Sequence, residues 1–295
     1  MPASQDPFAS KTMDIQHSET KMWDGGIAGW VRVYGEDAFQ YLQSQCSQDV
    51  RGAKDGGAVY GLFLSLKGKV RADGFVIGLG EEEFAVVSYH CGAGELASLL
   101  EENVIADDVE FETMDTGGSF VVEGKVGRED FPGALVFPGR RMAVEHFDVL
   151  LTPGTELPLG LLSRGELENR RVRDGIVSVP HDIGPEELPQ EGGLEHWAVS
   201  FTKGCFLGQE VMARLKAMGK VQRRIYKVSG EGRVPDAGTM VQYGGKDAGV
   251  LKSACPGDSD SWQGLALLRR RHAEEKDSVE WSLAVGGDLK IGAAV

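Results

Sequence analysis

The amino-acid sequence predicts an α+β protein with antiparallel sheets and a small C-terminal β-barrel. Segments rich in β-branched and aromatic residues are separated by short turns that contain Gly, as at 67–69. Helical segments lie between these strands, but the strict strand–helix alternation of a doubly wound fold is missing. Beyond Gly219, short apolar segments are spaced by Gly, Pro, Asp and Ser, which is typical of a small barrel. With 295 residues, the chain is long enough for two or three packed units.

The first part of the chain contains most of the predicted strands of the main domain. Residues 30–34 alternate like a short strand, and residues 37–45 follow with the spacing of a helix. The turn at Lys67-Gly68-Lys69 predicts that its two flanking strands form a hairpin. The other predicted elements are strands over 58–66, 70–79 and 84–88, a helix over 95–104, and strands over 109–114 and 119–123.

A later helix has clear signals at both ends. Ser163 can cap its start, and Glu166 three residues on completes a capping box. The helix is expected to end after 174, because Gly175 can adopt the left-handed conformation that stops a helix. The stretch 179–193 is rich in Pro, Gly and acidic residues, and we interpret it as an ordered loop beside a cleft.

A further helix is predicted over 207–218, immediately before the barrel. Its apolar stripe consists of Val211, Leu215 and Met218, and Gly219 ends it. The change of pattern after this helix predicts a domain boundary near 220. The expected organisation is therefore a loose leader over 1–23, a domain of two interwoven units over 24–219, and a barrel domain over 220–295.

Composition limits the classes of function. A net charge of −14 repels polyanions, so direct nucleic-acid binding is not expected. No apolar run reaches the roughly 20 residues of a membrane span. The polar, acidic N-terminus resembles neither a signal peptide nor a transit peptide, which predicts a cytoplasmic protein. The four cysteines form no Cys-x-x-Cys pair, so no metal site is predicted and free thiols are expected.

Cys205 is the thiol with the most distinctive surroundings in the sequence. It follows Lys203-Gly204 and precedes the helix predicted from 207. A nearby ammonium and a helix N-terminus both favour a thiolate, which would make Cys205 reactive. The alternative from local chemistry is a buried Cys that packs as a small apolar side chain.

Glu191 and Asp73 are the candidate carboxylates. Glu191 lies in a Gly-rich loop, where a carboxylate can accept two parallel hydrogen bonds from a pterin-like edge. Trp197 is close enough in sequence to belong to the same pocket, although a solvated loop acid and a core aromatic are the alternatives. Asp73 lies on a predicted strand beside Lys67, Lys69 and Arg71, which could bind an anionic tail or form an ordinary exposed face.

These segments resemble the YgfZ-type proteins, which are relatives of the glycine-cleavage T-protein and include a mitochondrial branch in late iron–sulfur cluster assembly. The most specific element is Lys-Gly-Cys-aromatic-x-Gly-Gln-Glu at 203–210. The resemblance extends from about 30 to the end of the chain and is weakest in the barrel. Its main segments are 171–176 (Arg-Val-Arg-Asp-Gly-Ile), 189–194 (Pro-Gln-Glu-Gly-Gly-Leu), 199–210 (Val-Ser-Phe-Thr-Lys-Gly-Cys-Phe-Leu-Gly-Gln-Glu) and 213–214 (Ala-Arg).

The resemblance implies a fold of three units around a central channel that binds tetrahydrofolate. It implies that Cys205 is the functional cysteine and that Glu191 meets the pterin ring. Lys203 and Arg214 are implied as partners of the ligand or of the cysteine. The implied function is that of a folate-binding accessory protein for iron–sulfur client proteins, including those that modify tRNA.

The sequence departs from the T-protein at two points. The T-protein hairpin carries paired aspartates, whereas this chain has Ala72-Asp73, and the T-protein lacks the Lys-Gly-Cys element. The accessory role, with Cys205 as the reactive group, is therefore the favoured hypothesis. The alternatives are a folate-dependent aminomethyl- or methyltransferase of one-carbon metabolism with Asp73 as acid or base, and a folate-binding scaffold without chemistry.

Overall fold

The computed structural model describes residues 20–275 and 280–295. The strands in chain order are β1 (Met22–Asp24), β2 (Gly29–Tyr34), β3 (Ala58–Leu64), β4 (Val70–Gly80), β5 (Glu83–Ser88), β6 (Glu110–Met114), β7 (Ser119–Glu123), β8 (Leu135–Pro138), β9 (His146–Leu150), β10 (Arg223–Glu231), β11 (Met240–Tyr243), β12 (Lys246–Pro256), β13 (Ser261–Arg269), β14 (Trp281–Leu283) and β15 (Lys290–Ala294). The α-helices are α1 (Ala38–Gln45), α2 (Ala93–Glu101), α3 (Arg164–Asp174), α4 (Gln209–Met218) and α5 (Arg270–Ala273).

Within the described residues these strands form three antiparallel sheets. A five-stranded sheet has the order β3-β4-β5-β2-β6, and a four-stranded sheet has the order β1-β7-β9-β8. The C-terminal sheet is six-stranded, in the order β14-β11-β12-β13-β10-β15, and it curls into a half-barrel. The predicted α+β class with antiparallel sheets is confirmed.

The β3–β4 hairpin forms as the 67–69 turn predicts. Its register places Leu62 opposite Asp73 and Tyr60 opposite Phe75. Gly68 occupies the left-handed region at φ 71° in the turn, and it lies against Val211 of α4. A Cβ at position 68 would come within 3.1 Å of the Val211 side chain, so this hairpin tip and α4 are tightly packed.

The helix ends follow the sequence signals closely. Ser163 accepts from the backbone N–H of Glu166, the Glu166 carboxylate accepts in return, and Gly175 ends α3 at φ 80°. The start of α4 is Gln209, preceded by Gly208 at φ 83°.

The apolar side of α4 differs from the predicted stripe. Its fully buried side chain is Met212, whereas Val211 and Leu215 are half-buried. The helix is rotated so that Met212 enters the core formed with the hairpin and the C-terminal sheet. The side chain of Met218, the third predicted member of the stripe, lies outside the described ones.

The predicted N-terminal leader falls mostly outside the described residues, which begin at 20. Met22 and Trp23, at the end of the predicted leader, belong to β1 and pair with Val122 and Val121 of β7. Trp23 is buried, so the folded unit includes residues before the predicted boundary at 24.

One apolar core joins the hairpin, the loop after α3 and the C-terminal sheet. It contains Leu62 and Val70 of the hairpin, Ile183 of the loop, and Ile225 and Leu265 of the C-terminal sheet. Because this core is shared, the walls of the space between the sheets are fixed relative to one another. Among the described helices, none has the length and apolar character required to cross a membrane.

Candidate functional site

A cavity of about 550 Å³ lies where the sheets meet. Its walls come from β3, β4, the loop before β9, α3 and the C-terminal sheet. The side chains that define its chemistry are Tyr60, Asp73, Tyr89, His90, Arg140 and Arg141. The cavity therefore combines aromatic faces, a carboxyl group and guanidinium groups, which is the composition of a site for a planar polar ligand.

Asp73 is the buried acid of this cavity, with 4% of its surface exposed. Its Oδ2 accepts a hydrogen bond of 2.7 Å from the Tyr60 hydroxyl, which lies on the neighbouring strand. Burial raises the pKa of Asp73 to about 6, against the opposing effects of the Tyr60 hydrogen bond and the charges of Arg140 and Arg141. A carboxyl with this pKa can bind and release a proton near neutral pH.

We expect Asp73→Asn to stabilise the folded protein by about 2 kcal/mol near pH 8 and not near pH 4. The carboxyl pKa is about 6 in the folded protein against an ordinary value of 3.8, so the folded state holds the proton more tightly. The stability that protonated Asp73 contributes is therefore present below about pH 4 and lost as the pH rises through about 6. Asn keeps an acceptor for Tyr60 without the buried charge.

Urea unfolding of both proteins at the two pH values measures this difference. Asp258→Asn, at an exposed position, is the matched control and should show no such pH dependence. An equal effect of Asp73→Asn at both pH values would contradict the burial of an ionisable carboxyl at this site.

Arg140 links the cavity to the surface. Its guanidinium carbon lies 4.8 Å from the centroid of the Tyr60 ring and 5.3 Å from that of Trp197. Tyr60 and Arg140 line the cavity, and Trp197, which is 67% exposed, is the other contact of this cation. Trp197, predicted as a pocket residue, thus contacts a residue that lines the cavity.

Two histidines form another part of the wall. The rings of His90 and His181 meet edge to face with centroids 4.5 Å apart, and Nδ1 of His181 lies 3.2 Å from the hydroxyl of Ser178. Burial, followed by the proximity of His181, lowers the pKa of His90 to about 4. His90 is therefore neutral near pH 7 and offers one donor and one acceptor.

A second cavity, of about 640 Å³, adjoins the first. Asp73 and His90 line both cavities, and the second also has Arg71, Cys91 and Glu102 in its wall. Arg71 forms an ion pair with Glu102, so this member of the predicted basic strand is already engaged. Asp73 consequently belongs to the walls of both cavities.

Cys205 lies outside both cavities, on an exposed turn before α4. The side chains that flank it point inward: Lys203 is 6% exposed, and Phe206 is packed in the core. A Cβ at Gly204 would meet nothing within 4 Å, so the turn projects from the surface. Anchors on both sides therefore present the Cys205 thiol to the solvent, and the alternative of a buried structural cysteine does not apply.

We expect one thiol of the native protein to react quickly with a thiol reagent such as Ellman's reagent. Cys46, Cys91 and Cys255 are buried, with 0%, 8% and 1% of their surface exposed. Cys205→Ser should remove the fast reaction, and unfolding in urea should make the remaining thiols reactive. Fast labelling that persists in the Cys205→Ser protein would show that a buried cysteine is accessible.

Lys203 has a different environment from the predicted one. Its Nζ donates to the carbonyl oxygens of Gln43 and Cys46, at 2.6 Å each, and of Gln48 at 2.8 Å. Burial lowers the pKa of this ammonium, whereas the charge of Asp49 raises it. The ammonium thus satisfies carbonyls at the C-terminal end of α1.

Glu191 and Arg214 also have partners within the protein. Glu191 is 5% exposed; its Oε1 accepts from Nε of Arg223 at 2.8 Å, and its Oε2 accepts from the backbone N–H of Leu188 at 2.8 Å. Glu191 is not among the residues that line the cavity. Arg214 lies on the exposed side of α4 in an ion pair of 3.1 Å with Glu210.

The structure therefore places Asp73 in the wall of the cavity and Trp197 against Arg140, a residue of that wall. Cys205, Lys203, Glu191 and Arg214 lie elsewhere. Sequence reasoning missed Tyr60, Tyr89, His90, Arg140 and Arg141. The hairpin register gives a signal for Tyr60, because it places this residue diagonally across from Asp73. Among the described residues, no group of three or more His, Cys, Asp and Glu side chains could hold a metal ion.

Two family models match the chain. Residues 6–124 match the GCVT N-terminal domain, and residues 222–294 match the CAF17 C-terminal beta-barrel domain. The glycine cleavage system aminomethyltransferase T from Bartonella henselae has the same fold, with a TM-score of 0.79 and 18% sequence identity over 93% of this chain and 85% of that one.

Relatives in sequence extend this comparison. The tRNA-modifying protein YgfZ of Hamiltonella defensa is 26% identical over 88% of this chain and 85% of its own length. The mitochondrial iron-sulfur cluster assembly factor IBA57 of Mus musculus is 34% identical over 37% of this chain, which spans only 33% of that factor.

The fold and the domain matches define an aminomethyltransferase-like protein with a C-terminal barrel of the CAF17 type. Within this class, the chain is a YgfZ/IBA57-type relative of the glycine-cleavage aminomethyltransferases. The resemblance predicted from the segments around 171–210 is thereby confirmed.

Proposed function

We propose that this protein binds a reduced folate in the central cavity and supports the assembly or repair of iron–sulfur proteins, including those that modify tRNA. The relatives support the second part of this proposal, since YgfZ is a tRNA-modifying protein and IBA57 is an iron-sulfur cluster assembly factor. The structural observation that supports the role with iron–sulfur proteins is the position of Cys205. Its thiol is exposed on an anchored turn outside the cavity. A thiol in this position is accessible to a partner protein and lies apart from a ligand in the cavity.

The residues of the cavity fit a folate. A volume of about 550 Å³ lies within the range of sites for ligands of this size. Tyr60 and Tyr89 contribute aromatic side chains to the cavity wall, Asp73 contributes a protonatable carboxyl, and Arg140 contributes a cation. When bound, a reduced folate would supply one-carbon carrier chemistry next to Asp73.

The role of Cys205 is tested in a strain that lacks the protein. We expect Cys205→Ala to lower the activity of iron–sulfur client enzymes about as far as deletion does. Thr202→Ala, an exposed change in the same turn, is the matched control and should restore them. Normal client activity with Cys205→Ala would remove the thiol from the proposal.

Binding is tested by titration with tetrahydrofolate. Because Trp197 stacks on Arg140 at the edge of the cavity, occupancy should change its fluorescence, and Trp197→Phe should abolish that change. The role predicted for Glu191 remains a proposal that requires Arg223 to leave its carboxylate. Unchanged affinity in Glu191→Ala would assign this carboxylate to the ion pair alone.

A folate-dependent aminomethyl- or methyltransferase is the second candidate, and Asp73 is the observation that favours it. A buried carboxyl with a pKa of about 6 is suited to acid–base catalysis near neutral pH. This candidate predicts folate-dependent turnover that is lost in Asp73→Asn and kept in Cys205→Ala. The accessory role predicts that the activity of client enzymes is lost in Cys205→Ala and kept in Asp73→Asn.

A further inference from the structure

Four exposed cations cluster where the end of α4 meets the C-terminal sheet. Two lie near the end of α4, one in its last turn and one shortly after it. The other two lie at the end of β13 and in α5, which follows it directly. The members of this basic strip are Lys216, Lys220, Arg269 and Arg271. Among the described residues, none of the four has an acidic partner in an ion pair.

Two contacts hold these elements together. The backbone N–H of Arg270 donates to the carbonyl oxygen of Gln222 at 2.9 Å, which joins the end of β13 to the segment after α4. Met212 of α4 and Leu267 of β13 belong to one buried core, and Arg269 lies two residues beyond Leu267. Because side chains alternate along a strand, Arg269 points to the side of the sheet that faces α4. The end of α4 and Arg269 therefore border one surface.

The basic strip reaches the turn that carries Cys205. Nζ of Lys216 lies 3.9 Å from the centroid of the Phe201 ring, and Phe201 is four residues before Cys205. The helix between the thiol and the end of the strip is only about 15 Å long. A protein surface of ordinary interface size spans this distance, so a partner that covers the strip also lies beside the thiol.

The chemistry of the strip favours an acidic protein surface over a nucleic acid. Guanidinium groups bind carboxylates through paired hydrogen bonds, and the lysines add point charges. Nucleic-acid binding depends on neutralising many phosphates, whereas the net charge of −14 repels a long polyanion beyond the strip. A short acidic segment can be held by the strip alone.

We propose that the basic strip docks an acidic segment of the protein whose iron–sulfur cluster is assembled or repaired, and that this contact brings the partner beside Cys205. The nature of that partner rests on the proposed function. Exposed charge pairs raise the rate of encounter more than the final affinity. The strip is thus an electrostatic guide for a transient complex.

Two peptides test the strip, with Cys205 as the reporter. Each carries a cysteine activated as its disulfide with 5-thio-2-nitrobenzoate, followed by two glycines and either four glutamates or four glutamines. Attack of the Cys205 thiolate on the peptide sulfur forms a new disulfide and releases the coloured thiolate, so absorbance gives the rate. We expect the glutamate peptide to react about tenfold faster than the glutamine peptide at low salt. In about 0.5 M salt this preference should fall below about twofold.

Lys220→Glu combined with Arg269→Glu reverses two charges of the strip and should reduce the preference to below about twofold. Lys125→Glu combined with Arg233→Glu is the matched control. It makes the same change in net charge at exposed positions outside the strip and should keep most of the preference. The neutral reagent 2,2′-dithiodipyridine should react equally with all three proteins. Thermal unfolding shows whether the variants are folded, and Lys220→Gln with Arg269→Gln replaces a strip variant that is not.

Three outcomes overturn the proposal. The first is a preference that is absent from the wild-type protein or persists in the strip variant. The second is an equal loss of rate with the neutral reagent, which would mean that the cations act on the thiolate itself. The third is protection of Cys205 by unfractionated tRNA in the wild-type protein, without any preference for the glutamate peptide, which would assign the surface to RNA.

Client activity in a strain that lacks the protein separates this inference from the proposed function. The strip variant is expected to restore less than about half of the activity that the matched control restores. If Cys205→Ala fails to restore the clients and the strip variant restores them fully, the proposed function stands and docking at the strip is overturned. If Cys205→Ala restores them, the role of the thiol fails, and the peptide rates still decide whether the strip binds acidic segments.

Discussion

Replacing Arg171 with Met is expected to lower the free energy of unfolding by about 3–5 kcal/mol. Arg171 is 5% exposed and connects three parts of the fold. Its Nη1 donates to Oδ2 of Asp182 at 2.6 Å, and its Nη2 donates to Oε1 of Glu168 at 2.6 Å and to the Ser253 hydroxyl at 3.0 Å. Without Arg171, the fully buried carboxylate of Asp182 would lose its counter-charge.

Urea unfolding of the wild-type and variant proteins measures this loss. Arg170→Met is the matched control, since the neighbouring Arg170 pairs with Asp174 in a partly exposed position and should contribute less than about 1 kcal/mol. The double change Arg171→Met with Asp182→Asn should recover part of the stability, because it removes the stranded charge. A loss below about 1 kcal/mol in Arg171→Met would show that water reaches this cluster.

Arg171 and Ser253 also line the cavity, so this cluster has a consequence for binding. Their hydrogen bond joins α3 to β12, which places one wall of the cavity relative to another. A rigid wall reduces the ordering that a ligand must impose on the protein.

Replacing Lys203 with Met is expected to lower the free energy of unfolding by about 3 kcal/mol. Its ammonium is the donor for the carbonyl oxygens of Gln43, Cys46 and Gln48 at the end of α1. Met has a similar length and no donor, so these buried acceptors would lose their partner. The loss should appear as a lower midpoint in urea with little change in the slope of the transition.

Arg214→Met is the matched control in the same motif, and its exposed ion pair predicts a change within about 0.5 kcal/mol. The same variants distinguish the structural role of Lys203 from the one predicted beside Cys205. If Lys203→Met keeps its stability but slows the reaction of the Cys205 thiol, the ammonium acts on the thiolate after all. A stability loss with normal thiol reactivity in the folded protein supports the anchoring role.

Several features of this protein could be predicted from local sequence. The capping box at Ser163 and the stop at Gly175 depend on residues within a few positions of one another, and the structure has both. The 67–69 turn likewise gives the β3–β4 hairpin and its register. Cys205 and its exposed turn belong to the motif at 203–210. The resemblance of this motif to the YgfZ-type proteins was evident in the sequence alone.

The site, in contrast, was decided by contacts between distant parts of the chain. Lys203 lies 155 to 160 residues from the carbonyls it binds, and Glu191 lies 32 residues from the Arg223 that holds its carboxylate. No local pattern encodes these pairs, because a long cationic side chain finds its acceptor only when packing brings the two together.

The sequence by itself determined the class of fold, most element ends and the cysteine motif, since each depends on backbone preferences and periodicity over short stretches. The tertiary structure decided which polar groups face the cavity. Asp73 and Arg141 line it because the hairpin and the loop before β9 meet there, whereas Lys203 and Glu191 point into other parts of the protein. Burial then fixed the chemistry of Asp73, because it raises the pKa of this carboxyl.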